Sequence, residues 1–331
     1  MAAVKRALLP MEALLVSALP EGEDWRYEPK WDGFRCLAHK QDKTVRLRSK
    51  SGKPLERYFP DIVTVLRQLE ARRFILDGEL LVEGESGYSF SDLQQRLHPA
   101  ASRVHMLAEK QPATLVIFDI LQTEQGKDLM LAPLSDRRLA LERFYERFCS
   151  KERAIKLSPQ SDSVSEAKKW FSSSGWYIDG LVAKNARDSY APGERIMQKY
   201  KPIRTADCVV GGFRYGKDSR QVGSLLLGLY DEQGHLNHVG FTSSIAKADK
   251  PALTKQLQKL IHEPGFDGNA PGGPSRWSTD RSVQWEPLLP KLVVEVTFDH
   301  VSDDRFRHGT KLIRFRPDKS PRQCTMEQIH R

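Results

Sequence analysis

Residues 28–35 read Glu-Pro-Lys-Trp-Asp-Gly-Phe-Arg and lie between two segments with strand patterns, Trp25 to Glu28 and Phe34 to His39. Lys30 therefore stands at the end of a predicted strand, close to an aspartate, a glycine and an arginine. A lysine amine has a free pKa of ~10.4 and becomes a nucleophile only where neighbours hold it and lower that value. The stretch predicts a site of covalent chemistry, although K-x-D-G alone also suits an ordinary surface hairpin.

The charge balance favours a polyanionic partner. Lysine and arginine total 52 residues, against 43 aspartate and glutamate residues, and the net charge is +9 at pH 7. Such an excess attracts nucleic acid through counterion release, although a well-solvated surface has a similar composition. The sequence has no apolar run of transmembrane length, and residues 1–19 lack the pattern of a signal peptide. Because the cysteines are scattered and form no C-x-x-C pair, we expect no zinc site, no disulfide framework and a cytoplasmic location.

Three apolar segments, residues 74–82, 114–121 and 176–184, contain side chains of possible chemical use. The side chains singled out in them are Asp77, Glu79, Phe118, Asp179 and Lys184. Burial of an unpaired carboxylate costs free energy, so the acids predict a ligand, a metal ion or a buried ion pair. A phenylalanine in such a strand is by default a core residue.

Three other segments, residues 44–53, 197–202 and 305–321, are rich in cations. Alternate residues of a strand share one face, so cations two positions apart can hold the same phosphate group. A solvated strand has the same pattern. The alternating cations are Arg46, Arg48 and Lys50 in the first segment, and Lys199 and Lys201 in the second.

The periodicity predicts an α+β chain with a boundary at residues 202–205. The segment before the boundary alternates strands with helices, which are predicted at residues 61–72, 89–97, 136–148 and 164–171. The segment after it has one helix, at 251–261, and short strands at 207–215, 224–230, 236–241, 292–298 and 311–315. This second pattern suggests a small Greek-key barrel of the OB type, although other small β folds fit.

These segments, taken in order, resemble the motifs of the covalent nucleotidyltransferases, the superfamily of ATP-dependent DNA ligases, RNA ligases and capping enzymes. Its first motif, K-x-D-G-x-R, matches residues 30–35. The later motifs match S-K-S-G at 49–52, D-G-E at 77–79, D-G-L-V-A-K at 179–184, K-Y-K at 199–201 and R-P-D-K at 316–319. One match would be weak, whereas six in the family order make coincidence untenable. The chain is similar to the small bacterial ligase C type, with lysine at 50 where arginine is usual and aspartate at 179 where glutamate is usual.

The resemblance implies the reacting groups. Lys30 would attack the α-phosphate of ATP and become a lysyl-AMP. The cations that would assist it are Arg35, Lys199 and Lys201. Asp32 and Asp179 would hold a divalent metal ion, Mg²⁺ or Mn²⁺. Because the stem of Asp179 is one methylene shorter than that of glutamate, we expect it to reach the metal through water.

The resemblance also implies the binding groups. The nucleotide contacts are expected to be Glu28 at the adenine amino group, Glu79 at the ribose, Phe118 against the base, Lys184 beside them, and Arg316 with Lys319 at the leaving pyrophosphate. Arg48 and Lys50 are expected to bind nucleic acid. Lysine at 50 keeps the charge of arginine but loses its bidentate geometry.

The resemblance implies a nucleotidyltransferase domain (ATP-grasp-like) of antiparallel sheets with helices over residues 1–202, followed by an OB-fold β-barrel over residues 203–331. The implied function is an ATP-dependent DNA ligase that seals 5′-phosphate/3′-hydroxyl nicks in duplex DNA, in DNA repair, as a monomer. RNA ligase and capping guanylyltransferase remain alternatives, because they share the motifs. A non-catalytic OB protein that binds nucleic acid is an alternative from another class.

Overall fold

The computed structural model describes residues 8–84, 87–174, 178–272 and 284–330, without the side chains of residues 172–174. The chain divides into two compact units, Met1–Lys201 and Pro202–Arg331. Trp176 and Tyr177, which begin the predicted strand at 176–184, lie outside the described residues. Among the helices described, none is long and apolar enough to cross a bilayer.

Two β-sheets build the first unit. Its described strands are β1 (Glu12–Val16), β2 (Trp25–Trp31), β3 (Phe34–Gln41), β4 (Thr44–Ser49), β5 (Arg73–Gly84), β6 (Gly87–Tyr88), β7 (Ala113–Gln122), β8 (Ile155–Leu157), β9 (Ile178–Asn185) and β10 (Arg195–Tyr200). One sheet has the order β1-β10-β9-β2, and the other has the order β4-β3-β5-β7-β8 with β6 beside β5. The pairs β1–β10 and β7–β8 are parallel, and the remaining pairs are antiparallel.

Helices cover these sheets. They are α1 (Pro60–Gln68), α2 (Phe90–Gln95), α3 (Ala101–Lys110), α4 (Leu134–Phe148) and α5 (Val164–Ser174). The largest core of the unit joins apolar residues of α1 and α4 to the β4-β3-β5-β7-β8 sheet, with Leu66, Leu76 and Leu141 fully buried in it. A separate core packs α5 against β2 and β9.

The chain crosses from one sheet to the other at the Lys30 stretch. Lys30 lies near the end of β2, and Arg35 lies near the start of β3, in the other sheet. Gly33 lies between these strands, where an added Cβ would be 2.2 Å from the carbonyl oxygen of Leu80. Glycine is therefore required at position 33 by close packing against the protein's own backbone.

Several helix boundaries differ from the prediction. Helix α1 ends at Gln68 instead of residue 72, because the buried Lys40 ammonium donates to the carbonyl oxygens of Arg67 (3.0 Å) and Leu69 (2.5 Å) and so satisfies the end of the helix. Ser89 is the N-cap of α2, since its hydroxyl accepts from the backbone N–H of Asp92. Helix α3 and strand β1 have no counterpart in the prediction.

The second unit has its own core around a six-stranded sheet. Its described elements are β11 (Arg204–Tyr215), β12 (Val222–Tyr230), β13 (Leu236–Thr242), α6 (Lys250–Gln258), β14 (Glu286–Pro287), β15 (Val293–Phe298), β16 (Val301–Ser302), β17 (Arg305–Phe306), β18 (Lys311–Phe315), a 3₁₀ turn (Pro321–Gln323) and α7 (Glu327–His330). The sheet runs β13-β12-β11-β15-β18 and is antiparallel, with β14 beside β11.

The described strands of this unit do not form the closed barrel expected from the sequence. The edge strand β13 meets the other edge through an isolated bridge between Thr242 and Thr310, and no ladder joins β13 to β18 in the described residues. Strands β16 and β17 pair with each other and extend neither edge. The mixed α and β composition agrees with the prediction, whereas the sheet remains open.

A buried ion pair on β7 and α4 provides a test of the fold. Arg137 and Asp119 are almost fully buried and form two hydrogen bonds of 2.9 and 3.0 Å. Because Arg137→Met leaves a buried carboxylate unpaired, we expect a loss of about 3–5 kcal/mol in unfolding free energy, measured by urea denaturation. The exposed Arg72–Asp42 pair is the control, since Arg72→Ala should cost less than about 1 kcal/mol. Equal losses in the two variants would contradict the assignment.

Candidate active site

One cavity of the first unit, with a volume of about 220 Å³, collects most of the residues singled out in the sequence. Its walls come from both sheets and from the segment around β1. The predicted residues that line it are Glu28, Lys30, Arg35, Lys50, Glu79, Phe118, Lys184 and Lys199.

The Lys30 ammonium is held by a carboxylate shared with a second lysine. Asp179 accepts from Lys30 Nζ at 2.5 Å and from Lys201 Nζ at 2.9 Å. Burial raises the pKa of Asp179, but the charge of Lys30 and the hydrogen bonds of both lysines outweigh burial, so its pKa is lowered. An ionised carboxylate thus fixes the position of the candidate nucleophile.

Glycine allows this convergence. Lys30 pairs across the sheet with Gly180, where an added Cβ would be 2.2 Å from the carbonyl oxygen of Tyr200. The end of β10 can therefore lie close to β9, which brings Lys201 to Asp179. The D-G pair at 179–180 has a packing role as well as an electrostatic one.

Lys199 lines the cavity among other cations. Burial lowers its pKa, and the charges of Lys30, Lys201 and Lys50 lower it further. A phosphate group in the cavity would relieve this repulsion, since an anion favours the charged lysine.

Glu28 has a partner on each carboxylate oxygen. Oε2 accepts from Lys184 Nζ at 2.7 Å, and Oε1 accepts from the side-chain amide of Gln160 at 2.8 Å. The Lys184 ammonium also lies 4.7 Å from the ring centre of Phe118, and the Arg35 guanidinium lies 4.5 Å from it. Phe118 is therefore a buried ring at the cavity wall that contacts two cations.

Arg35 binds Asp77, one of the acids for which the sequence left a buried ion pair as an alternative. Its Nε and Nη2 donate to the two oxygens of Asp77 at 2.6 and 2.7 Å. Burial lowers the pKa of Arg35, but the charge and hydrogen bonds of Asp77 more than offset this effect, so its pKa is raised. Arg35 is a permanent cation held in one orientation by a bidentate contact.

Glu79 is the carboxyl with the most altered acidity in the cavity. Burial raises its pKa to about 7, although the charges of Arg35 and Lys30 act in the opposite direction. A carboxyl with this pKa exchanges its proton near neutral pH.

The two residues predicted to bind nucleic acid differ in their surroundings. Arg48 pairs with Glu56 at 2.7 Å and does not line the cavity. Lys50 lines the cavity, and its ammonium lies 2.9 Å from Glu12 on β1. Asp32 lies in the turn between β2 and β3 and is not among the residues that line the cavity.

Arg316 and Lys319 belong to the second unit, where both bind Asp207. Arg316 Nη1 lies 3.0 Å from Asp207 Oδ1, and Lys319 Nζ lies 2.5 Å from its other oxygen. Arg316 also donates to Asp318 at 2.8 Å.

Three parts of the site were missed in the sequence. Gln160 lacks a local signal, because its contact with Glu28 spans 132 positions. The wall formed by Pro10 to Ala13 belongs to an N-terminal segment that was considered only as a possible signal peptide. Tyr190 donates to Asp77 at 2.6 Å from a segment that was assigned no chemistry.

The acids suit a metal ion that is bound together with phosphate. In the described ranges, no group of three or more histidine, cysteine, aspartate and glutamate side chains could hold a metal ion. Mg²⁺ usually keeps several waters and takes one or two carboxylates plus substrate phosphates. The ionised Asp179 fits such a role, with Asp32 as the second candidate.

Comparison with known proteins identifies the family. A model described as "ATP dependent DNA ligase domain" matches residues 10–201, and one described as "ATP dependent DNA ligase C terminal region" matches residues 218–319. DNA ligase C of Mycobacterium tuberculosis is 38% identical over 97% of this chain and 93% of the relative. The chain belongs to the ATP-dependent DNA ligase family. DNA ligase C2 of Mycolicibacterium smegmatis is 39% identical to this ligase with the same coverage.

Solved structures agree with this assignment. The crystal structure of the ligase domain from M. tuberculosis LigD has a TM-score of 0.52 and 26% identity to this ligase, and the match covers 96% of this chain and 98% of that one. A mycobacterial DNA ligase D complexed with ATP and MES has a TM-score of 0.51 and 26% identity, with the same coverage. The resemblance drawn from the motifs is confirmed. Both family models that match this chain describe ATP-dependent DNA ligases.

The pKa of Glu79 gives a pH-dependent test on this ligase. Below pH 4.5, its ordinary pKa, the carboxyl is protonated in both folded and unfolded chains. As the pH rises to about 7, the unfolded chain ionises first, so Glu79 progressively destabilises the fold, and the effect is constant above that pH. We expect the Tm of Glu79→Gln, relative to that of the wild type, to rise across this interval and then level off. Thermal unfolding without nucleotide measures it, and a difference independent of pH would contradict the raised pKa.

Proposed function

We propose that this ligase seals nicks between a 5′-phosphate and a 3′-hydroxyl in duplex DNA, in DNA repair, through a lysyl-AMP intermediate. The observation that carries the proposal is the cluster at the cavity, where Lys30 shares Asp179 with Lys201 and lies near Lys199. Two relatives of similar length are named DNA ligase C and DNA ligase C2, which supports the same activity here.

In the first step, the Lys30 ammonium loses a proton to solvent, its Nζ attacks the α-phosphorus of ATP, and the nitrogen releases a second proton as the phosphoramidate forms. A P–N bond forms, and the bond from the α-phosphorus to the pyrophosphate oxygen breaks. Lys199 and Lys201 neutralise the charge that develops on the phosphate, and their fixed positions reduce the reorganisation that this step requires.

The rest of the cavity binds the nucleoside. Glu28 is held by Gln160 and Lys184 so that its carboxylate can accept from the adenine amino group. Phe118 packs near the base, and ionised Glu79 accepts from the ribose hydroxyls. Burial raises the pKa of Glu79 to about 7, and hydrogen bonds donated by the ribose hydroxyls would favour its ionised form.

In the second step, a 5′-phosphate oxygen at the nick attacks the phosphorus of the lysyl-AMP, which breaks the P–N bond and transfers AMP to the DNA. In the third step, the 3′-hydroxyl attacks the 5′-phosphorus and releases AMP. Each step develops negative charge on phosphate oxygens, so the enzyme acts by positioning and neutralisation. Mg²⁺ or Mn²⁺, held by Asp179 and Asp32, would supply additional charge neutralisation at the phosphates.

We assign residues 1–202 as the adenylation domain and residues 203–331 as the OB-fold domain. Arg316 and Lys319 of the second domain act on the leaving pyrophosphate in the first step. Lys50, whose side chain is exposed, and Arg48 bind phosphate groups of the DNA.

Nicked duplex DNA is the substrate, and the ligase acts as a monomer in the cytoplasm. The four cysteines, which are free and buried, support a reducing compartment.

Lys30→Ala should abolish ATP-dependent nick sealing, because no other group forms the covalent intermediate. The assay is gel separation of a nicked duplex with labelled 5′-phosphate after incubation with ATP and Mg²⁺. Lys127→Ala removes an exposed lysine that lies outside the cavity and should seal as the wild type does. Sealing by Lys30→Ala at the wild-type rate would exclude Lys30 as the nucleophile.

Arg316→Ala should separate the first step from the third. We expect lysyl-AMP formation to slow about 100-fold, because a cation at the leaving group is lost, while the sealing of pre-adenylylated nicks is retained. Arg314→Ala is the matched control, since Arg314 lies on β18, pairs with Glu295 on the neighbouring strand β15 and is 60% exposed. Equal loss of both steps in Arg316→Ala would refute the assignment of its role.

A further inference from the structure

Four residues close a ring of hydrogen bonds beside the cavity. The Met11 backbone N–H donates to the Tyr190 hydroxyl at 3.0 Å, and this hydroxyl donates to Asp77 Oδ2 at 2.6 Å. Arg35 Nη2 donates to the same Asp77 oxygen at 2.7 Å and to the Met11 carbonyl oxygen at 3.3 Å. Both backbone groups of Met11 are thus joined to Arg35 and Asp77, and Tyr190 completes the ring.

Three of the four residues of the ring are buried, so the two bonds of the Tyr190 hydroxyl have a structural consequence. Asp77 is fully buried, and Met11 and Tyr190 are each 3% exposed. A phenol has one hydrogen to donate, and here the hydroxyl both donates and accepts. Removal of that oxygen leaves the Met11 N–H without this partner and takes one donor from Asp77. A buried polar group that loses its partner costs free energy.

The ring joins the two walls of the cavity. Met11 leads into β1, in one sheet, and the residues from Pro10 to Ala13 line the cavity. Asp77 and Arg35 lie on β5 and β3, in the other sheet, and Arg35 lines the opposite wall. Tyr190 comes from the segment between β9 and β10, and its hydroxyl contacts both walls, beside the direct bond from Arg35 to the Met11 carbonyl oxygen.

We propose that Tyr190 is a positioning residue for the nucleotide, which fixes β1 relative to Arg35 and thereby sets the affinity of the cavity for ATP. This inference rests on the proposed function of the cavity. Tyr190 acts through Met11 and Asp77 and does not itself line the cavity.

Other contacts allow the hydroxyl to be removed without loss of the segment. The Tyr190 N–H donates to the Met130 carbonyl at 2.8 Å, and the Gly193 N–H donates to the Pro10 carbonyl at 3.2 Å. The parallel ladder of β1 with β10 is also independent of Tyr190. Tyr190→Phe should therefore loosen the spacing of the two walls and keep the fold.

The test is the rate of lysyl-AMP formation as a function of ATP concentration. For Tyr190→Phe we expect KM for ATP to rise about tenfold, which corresponds to ~1.4 kcal/mol, with the saturating rate within about twofold of the wild type. Tyr27→Phe is the matched control. It removes a buried hydroxyl of the same unit that donates to the Pro20 carbonyl at 2.7 Å and has no bond to the ring. It should lower Tm and leave KM unchanged.

The outcomes separate this inference from the proposed function. If the wild type forms no lysyl-AMP, the function of the cavity fails and the inference fails with it. If the wild type reacts but Tyr190→Phe has an unchanged KM, or both tyrosine variants raise KM equally, the function stands and the positioning role is overturned. If Tyr190→Phe does not fold, Asp77→Asn decides. That variant keeps an oxygen for Tyr190 but loses the charge that holds Arg35, so its KM must rise, and an unchanged KM overturns the proposal.

Discussion

The active site depends on the neutralisation of cations that are crowded into one partly buried cavity. Lysines and an arginine converge there for phosphate chemistry, and each of the most buried ones is matched with a carboxylate. Asp179 holds Lys30 and Lys201, Asp77 holds Arg35, and Glu28 holds Lys184. An unpaired charge at these depths would be costly, so the acids are as necessary to the fold as to the reaction. ATP brings the additional negative charge that the cluster lacks, most evidently at Lys199, whose pKa is lowered by burial and by the charges of the other lysines.

The two departures from the family motifs fit this electrostatic arrangement. The short stem of Asp179 keeps its carboxylate beside β9 and β10, within 2.9 Å of both Lys30 and Lys201. Lys50, where arginine is usual, makes a single-point ion pair with Glu12 on the opposite wall. Both substitutions therefore place a charge pair at the cavity, while the bidentate geometry at the cavity is provided by Arg35 and Asp77.

Local patterns in the sequence predicted most of the strands and the grouping of the motif residues. Lys30, Glu79 and Lys199 each lie in a short segment whose residue types and order are distinctive, so their convergence on one cavity followed from the family resemblance. Contacts between distant segments were not predictable in this way. The bond between Met11 and Tyr190 spans 179 positions and involves a backbone group, for which the sequence carries no local signal. The prediction of a closed barrel in the second unit was wrong for a related reason. Strand periodicity does not determine whether the two edge strands of a sheet pair with each other.

The most direct measurement of the central claim is the mass of the protein after incubation with ATP, GTP or NAD in the presence of Mg²⁺, followed by peptide mapping of the modified lysine. Because any AMP already on the protein would hide the reaction, bound AMP is first removed with pyrophosphate. The account predicts the addition of one AMP from ATP, with none from GTP or NAD, on the peptide that contains Lys30. Addition of GMP from GTP would instead indicate a capping type of enzyme. No covalent nucleotide from any donor, or AMP on a different residue, would contradict the account.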